Sequence, residues 1–159
     1  MKLKTVQLST IMLYALVMGV FWGTWFSLSR SMAELPPQTF LDVGHAMIRN
    51  LGAPMSILMP LSLASAVFML VLLPKRSKAF ALAAAGLLLM ILALIVTLAI
   101  EVPIDRKFEV WNVATLPGNW QAIRDRWEFY HTTRTFVSIA AFALVVASCL
   151  SERGELSRQ

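Results

Sequence analysis

The sequence contains four apolar stretches that are each long enough to cross a membrane as a helix. An α-helix needs about 20 apolar residues to span the hydrocarbon core of a bilayer. The stretches that meet this requirement lie at about 8–29, 50–73, 79–100 and 128–150. With 58% apolar and 14% charged residues, the chain is also too apolar for a soluble domain of 159 residues. We therefore predict one all-α domain over residues 1–159, a four-helix transmembrane bundle.

The first apolar stretch has an alternative interpretation, because residues 1–4, Met-Lys-Leu-Lys, resemble the charged start of a signal peptide. The stretch that follows is longer than the apolar core of a signal peptide. It runs through Trp22 and Trp25 to Arg30 without a clear cleavage site of small residues. We interpret it as a retained membrane helix.

Lysine and arginine residues near the helix ends predict the orientation, since cytoplasmic segments are enriched in them. Short segments on one side carry Lys2, Lys4, Lys75, Arg76, Lys78, Arg153 and Arg158. The basic residues of the other side are spread over two longer loops, among the acids Glu34, Asp42, Glu101, Asp105, Glu109, Asp125 and Glu128. We therefore expect both termini on the cytoplasmic side of the inner (cytoplasmic) membrane, with both long loops outside.

Composition also excludes several classes of protein. The single cysteine, Cys149, permits no intrachain disulfide, CxxC redox pair or cysteine metal cluster. The net charge of +5 does not indicate nucleic-acid binding, because the basic residues form no run longer than 75–78. The sequence contains no dinucleotide-binding or phosphate-binding loop, no HExxH and no nucleophile elbow. We expect membrane lipid as a partner and no nucleic acid.

Two features predict how the helices pack. Ala15, Gly19 and Gly23 recur at four-residue spacing on the first helix, and such a stripe lets another helix approach closely. This face would serve packing within the bundle, or contact with a second copy or a partner membrane subunit. Pro54 and Pro60 lack backbone donors and predict a kink or local opening in the second helix.

The fourth helix is predicted to be longer than the membrane is thick. Asn119 is a plausible N-cap, and no proline or glycine occurs over residues 120–150. This span is about 46 Å long at the rise of an α-helix, so its first turns should project outside the membrane. A long ordered loop over residues 101–127 should precede its membrane-spanning part. One face of the helix carries Arg124, Trp127, His131, Arg134 and Ser138.

Ionisable groups at a membrane helix end are costly unless they are paired or hydrated, so they are candidates for a site. His131 is the best candidate for acid–base or ligand chemistry, because imidazole titrates near neutrality. Asp42 and His45, three residues apart, are further candidates. Together with His131 and either Glu101 or Asp105, they would form a mixed N/O site suited to iron, copper or zinc. No cofactor fingerprint is present, and the alternative is that the charged residues form ion pairs that fasten the outer loop to the bundle.

Residues 101–135 resemble the anthrone oxygenase-like integral membrane family, whose bacterial members are mostly domains of unknown function. The motifs that carry the resemblance are Pro-Ile-Asp105, Trp111, Pro117-x-x-Trp120-x-x-Ile-Arg124-x-x-Trp127 and His131-x-x-Arg134. In the family pattern an asparagine usually follows Pro-Ile, whereas this chain has Asp105.

The resemblance implies an oxygenase or oxidoreductase that acts on a hydrophobic aromatic molecule at the extracytoplasmic face. Fungal members look like oxygenases that convert the activated central carbon of an anthrone into the second carbonyl of an anthraquinone. In that chemistry His131 would remove the proton, and Arg124 or Arg134 would stabilise the enolate.

Asp105 is the remaining catalytic candidate under this resemblance. The predicted substrate-binding residues are Trp111, Asn112, Trp120 and Trp127, of which Trp120 and Trp127 would stack on a flat substrate. The alternative function is non-enzymatic, either as an accessory membrane subunit or as a module that binds a lipid or small molecule.

Overall fold

The computed structural model describes the backbone of residues 2–156 and the side chains of residues 2–151. The α-helices are α1 (Lys2–Ser27), α2 (Pro37–Leu72), α3 (Lys78–Val96), α4 (Val102–Val110) and α5 (Trp120–Leu156). A π-helical turn, Thr97–Glu101, joins α3 directly to α4. Short 3-10 turns occupy Ser29–Glu34 and Val113–Thr115. Of the predicted cytoplasmic cations, Arg158 and the side chain of Arg153 lie outside the described residues.

Among the described residues, four helical segments are long and apolar enough to cross a membrane, namely α1, α2, α3 with α4, and α5. The α1 and α3 helices each contact both α2 and α5, so the four segments form a bundle. Large apolar side chains cover much of its outer surface, among them Leu8, Leu16, Ile57, Val71 and Leu88. Lipid is the solvent that suits such a surface. The predicted four-helix transmembrane bundle is confirmed, and the chain is a multi-pass membrane protein.

The interior consists of two apolar clusters. The bundle core lies between the membrane-spanning segments and includes Tyr14, Val17, Met69, Met90 and Val145. The cap cluster lies at the end of the bundle that carries the connections 28–36 and 111–119, and consists of Met32, Phe40, Leu41, Ile104, Phe108 and Trp127. The imidazole of His131 lies between the two clusters, since it contacts Phe21 of the bundle core and Trp127 of the cap cluster.

One close helix contact involves a glycine that the sequence did not single out. A Cβ atom at Gly86 of α3 would lie 3.0 Å from the carbonyl oxygen of Ala141 and 3.0 Å from Cγ2 of Val145. By contrast, Gly19 and Gly23 have nothing within 4 Å of an added Cβ. Among the described residues, Gly19 and Gly23 therefore make no close helix contact, and the use of the stripe by a second copy or a partner subunit stays a prediction.

The loop predicted over residues 101–127 is largely helical, which corrects the expected boundaries. The third membrane segment continues through the π-helical turn and α4, so only residues 111–119 connect it to α5. Pro103 lies in the first turn of α4, directly after the π-helical turn, and the helix continues past it although its nitrogen donates no hydrogen bond. The α2 helix likewise continues through Pro54 and Pro60.

Candidate functional site

A cavity of about 500 Å³ lies among the membrane-spanning segments, beside the cap cluster. Its walls are mainly apolar and include Val20, Phe21, Leu51, Met55 and Met59. Its ionisable lining residues are Asp105, Arg106, Glu109, His131 and Arg134. Pockets of this size and composition bind small molecules, with the few polar groups fixing the orientation of the ligand.

The side chains of His131 and Arg134 are hydrogen-bonded to each other along α5. Arg134 places Nε 3.2 Å and Nη2 2.9 Å from Nδ1 of His131. A guanidinium can only donate, so Nδ1 must accept and the neutral imidazole carries its proton on Nε2. Oε2 of Glu101 also lies near Nδ1, but at 3.8 Å it is too distant for a hydrogen bond. His131 is therefore oriented with an N–H at Nε2.

Arg134 is held on its other sides by the third membrane segment and by α1. Its Nη1 donates to Oγ1 of Thr97 at 3.0 Å, and its guanidinium lies 4.5 Å from the ring centre of Phe21. Its Nη2 lies 2.6 Å from Oε2 of Glu101, a carboxylate with no exposed surface. The two groups form a close ion pair, although neither carboxylate oxygen accepts an aligned hydrogen bond. These contacts fix the guanidinium that orients His131.

The π-helical turn supplies two of the polar partners of Arg134, namely Thr97 and Glu101. It begins at Thr97 and ends at Glu101, immediately before α4. Single π-helical turns inside longer helices are rare and frequently occur at functional sites. Here the turn brings a hydroxyl and a carboxylate from one membrane segment against one guanidinium from α5.

Asp105 and His131 are linked through Trp127. The indole Nε1 of Trp127 donates to Oδ1 of Asp105 at 2.9 Å. Its ring stacks on the imidazole of His131 with centroids 4.8 Å apart and planes 7° from parallel. Among the described residues, Trp127 is the one hydrogen-bond donor to the Asp105 carboxylate. Asp105, Trp127, His131 and Arg134 all line the cavity, and we call these four residues the polar wall.

The Nε2 atom of His131 is buried and makes no hydrogen bond of normal geometry with the described residues. The carbonyl of Phe21 lies close to the imidazole without completing such a bond. A buried donor without a partner is costly, and most such groups in proteins are paired. Nε2 is therefore an unpaired donor of the polar wall, and a ligand would meet it only if the side chains that cover it moved aside.

Arg124 does not join the polar wall, although it shares a helix face with His131. Its Nε and Nη2 lie 3.0 and 2.7 Å from Oδ1 of Asp125, and its guanidinium lies 5.3 Å from the ring of Trp120. Its Nη1 approaches the carbonyl of Ala33 at 3.5 Å. The structure thus places Arg124 beside the first connection, residues 28–36, and outside the cavity lining.

The predicted substrate-binding residues also separate. Trp127 lines the cavity, whereas Trp111 packs on Phe108 with ring centres 5.3 Å apart. Trp120 packs on Phe40 at the same centroid distance, and Asn112 caps the 3-10 turn that follows it. These three residues therefore stabilise the end of the bundle rather than line the cavity.

The residues predicted as weak metal ligands are not brought together. Nε2 of His45 lies 2.7 Å from the carbonyl oxygen of Phe108, and Asp42 accepts a hydrogen bond from Gln38. His131 and Glu101 both contact Arg134 instead. Within the described part of the chain, no group of three or more His, Cys, Asp or Glu side chains is placed to hold a metal ion. The arrangement therefore does not fit the iron or copper site that the sequence suggested.

Several functional neighbours escaped the sequence-based reasoning. Thr97 lies four residues before Glu101, a spacing that places both on one helix face, and this signal was available. Phe21, Met55 and Met59 gave no comparable signal, because apolar residues on membrane helices are everywhere. Only the relative positions of α1, α2 and α5 identify them as cavity walls.

Comparison with known protein families gives one match. The family model described as anthrone oxygenase matches residues 47–144, which is more than half of the chain. The matched segment includes all four residues of the polar wall. Comparisons with curated proteins and with solved structures find no match.

Proposed function

Because the chain belongs to the anthrone oxygenase family, we propose that it is a membrane oxygenase that oxidises a flat, hydrophobic aromatic substrate. The observation that carries this proposal is the cavity of about 500 Å³, whose apolar walls present a short polar wall at one side. Apolar pockets with a few convergent polar groups are the usual form of a small-molecule site. An anthrone has matching chemistry, since it is a fused-ring ketone with an acidic C–H opposite its carbonyl.

His131 acts in this proposal as a hydrogen-bond donor rather than as the base that its sequence context suggested. Its Nδ1 is occupied by Arg134, so its Nε2 carries a proton and has no lone pair with which to accept another. An N–H group aimed at the substrate carbonyl would stabilise the negative charge that develops there when the substrate ionises. Arg134 acts through His131, as a positioning residue.

Asp105 is the base in this proposal. Trp127 holds Oδ1 through its indole N–H, which leaves Oδ2 to meet the substrate. Removal of the acidic proton by Oδ2 would give the enolate, which reacts with O₂ at carbon to form a peroxide anion, and Asp105 returns the proton to give the hydroperoxide. Asp105 then removes the second hydrogen from the same carbon as the O–O bond breaks, and the departing hydroxide takes this proton to form water, which leaves the second carbonyl. One oxygen atom of O₂ ends in the quinone and the other in water, so no further reductant is required.

The test is turnover by the purified protein in lipid vesicles. With anthrone and air, we expect anthraquinone to form faster than in vesicles that contain the Asp105→Asn, His131→Phe double variant. Isotopically labelled O₂ should place label in the new carbonyl. The Arg126→Ala variant is a matched control, because Arg126 is exposed on α5 outside the cavity lining. Equal rates for wild type and the double variant would refute the proposal.

We also propose that the cavity lies toward the extracytoplasmic face, in the inner membrane, with both termini in the cytoplasm. The basic residues Lys75, Arg76 and Lys78 lie at the α2–α3 turn, at the end of the bundle opposite the cap cluster. Lys2 and Lys4 begin α1 at that same end. A reporter fused after Gln159 should be active only in the cytoplasm, and activity only outside the cytoplasm would overturn this orientation.

A binding module without catalysis is the second candidate, and the contacts of Arg124 favour it. They join α5 to the first connection and have no role at the cavity. In this function the ionisable residues only fasten the fold, and the cavity holds its ligand unchanged. Saturable binding of anthraquinone, together with no acceleration of anthrone oxidation, would identify this function.

A further inference from the structure

The cavity reaches the outer surface through the side of the bundle. Gly52, Ser56 and Pro60 of α2 line the cavity and are also exposed. They recur every four residues, so they form one edge of the helix. On the facing third membrane segment, Leu98 of the π-helical turn and Arg106 of α4 likewise line the cavity and are exposed. We call the opening between these two edges the lateral slot.

The end of the bundle beneath the two connections is closed. His45 of α2 is hydrogen-bonded to the carbonyl oxygen of Phe108 in α4, at 2.7 Å, across the top of the lateral slot. The cap cluster fills the space above the cavity. Trp127 is a member of this cluster and Ile48 packs against it, and both residues also line the cavity. A ligand that came from the aqueous side would have to displace these side chains.

The surface around the lateral slot is apolar over most of its length. Ile57 and Leu61 of α2 are at least half exposed, and so are Ile95 and Leu98 of the facing segment. Glu109, at the other end of the slot, is exposed and charged, and it lies about 16 Å from Leu98 by helical rise. The slot therefore extends from the apolar surface to a polar rim at the end of α4.

We propose that the lateral slot is the portal through which a hydrophobic aromatic ligand passes between the lipid and the cavity. The apolar part of the slot matches fused rings that are dissolved in the bilayer, and its polar end matches a ligand with a terminal oxygen. The ligand class rests on the proposed function, whereas the route rests on the exposed edges of α2 and α3–α4.

Gly52 is the residue with which the portal can be narrowed. It lies at the edge of the slot, and nothing lies within 4 Å of an added Cβ, so a side chain can begin here without a clash. Ala53→Leu provides a matched control, because the neighbouring Ala53 is exposed at the same depth but does not line the cavity. Ser56→Leu is a second variant at the slot, one turn along α2.

Photolabelling by benzophenone tests the route without requiring turnover. Vesicles that contain benzophenone are fused with protein-containing vesicles, irradiated after set delays and analysed for adducts at Met55 and Met59, which line the cavity. We expect Gly52→Leu and Ser56→Leu to slow the appearance of these adducts about tenfold or more relative to wild type and Ala53→Leu. The final yield should change by less than about twofold, because a gate alters rates and not occupancy.

Three results would overturn the proposal. The first is an unchanged rate in both slot variants, and the second is a lower final yield with an unchanged rate, which would make Gly52 part of the binding surface only. Faster labelling in His45→Ala than in wild type would also count against it, because that variant opens only the aqueous end. If labelling follows the expected pattern but anthrone oxidation is absent, the proposed function fails while the portal stands.

Discussion

Arg134 directs two of its nitrogen atoms at a single atom of His131, with Nε 3.2 Å and Nη2 2.9 Å from Nδ1. This contact determines which imidazole nitrogen bears the proton, because an arginine cannot accept a hydrogen bond. The stacked ring of Trp127 fixes the plane of the same imidazole. The position of the proton and the direction of the ring are therefore both set before a ligand binds, which is the requirement for electrostatic stabilisation of a developing charge.

Substitution of His131 should distinguish a donor from a base. We expect His131→Phe to lower the turnover number about 100- to 1,000-fold, because the substrate oxygen loses its N–H partner. His131→Gln retains an amide N–H and should recover at least about tenfold of that loss. Steady-state oxidation of anthrone in vesicles measures both variants. Equal inactivity of the two variants would support the original assignment of His131 as the base.

Replacement of Asp105 by asparagine should remove the base and keep the fold. The amide oxygen can still accept the hydrogen bond from Trp127, so the geometry of the polar wall should persist. We expect turnover to fall about 100- to 10,000-fold, the usual contribution of a positioned base. Since the resemblance implies an asparagine at this position, the variant also tests whether the acid is particular to this chain.

Glu109→Gln is the control for this experiment. Glu109 also lines the cavity, but it is exposed at the polar rim. Turnover in this variant should stay within about twofold of wild type. Loss of activity in Glu109→Gln with full activity in Asp105→Asn would transfer the role of base to Glu109.

Loss of Arg134 should destabilise the protein as well as impair catalysis. Arg134→Ala leaves the buried Glu101 without its ion partner, and breaking such a pair costs about 3–5 kcal/mol. Arg126→Ala should change the free energy of unfolding by less than about 0.5 kcal/mol, because that side chain is exposed. Unfolding by SDS in mixed micelles, followed by tryptophan fluorescence, gives both values.

A double variant separates the loss of charge from the loss of packing at this pair. Glu101→Leu with Arg134→Met removes both charges and should recover most of the stability that Arg134→Ala loses, since apolar replacements of buried pairs are often neutral or better. The double variant should nevertheless remain impaired in turnover, because His131 has lost its orienting partner. Full turnover in the stable double variant would contradict the positioning role of Arg134.

The sequence predicted the helix face on which each side chain lies better than it predicted the neighbours of that side chain. Helical periodicity placed Trp127, His131 and Arg134 on one face of α5, and all three line the cavity. The same periodicity included Arg124, which lies two turns before His131 and is held by Asp125 and the first connection instead. A period of 3.6 residues defines an angle around the helix axis, whereas the partner at each level depends on the register of neighbouring helices.

The boundaries of the third membrane segment were the other part that the sequence could not supply. Glu101 and Pro103 look like the end of a helix, because one is charged and the other lacks an N–H. In the fold, Glu101 is buried against Arg134, a contact distant in sequence, and the helix continues through Pro103 in the first turn of α4. The four spans were predictable because length and hydropathy are local properties, whereas a buried ion pair requires knowledge of its partner.

The contact between α3 and α5 at Gly86 gives a prediction that depends on packing alone. A methyl group at this position would meet the backbone oxygen of Ala141 at 3.0 Å, and a backbone atom cannot rotate away as a side chain can. We expect Gly86→Ala to lower the free energy of unfolding by about 1–3 kcal/mol, the usual cost of overpacking, although alanine favours the helix by about 1 kcal/mol. Gly19→Ala has open space around the new methyl group and should be neutral or stabilising. The same SDS titration measures both variants, and equal stability of the two would show that α3 and α5 do not approach each other as closely as this contact requires.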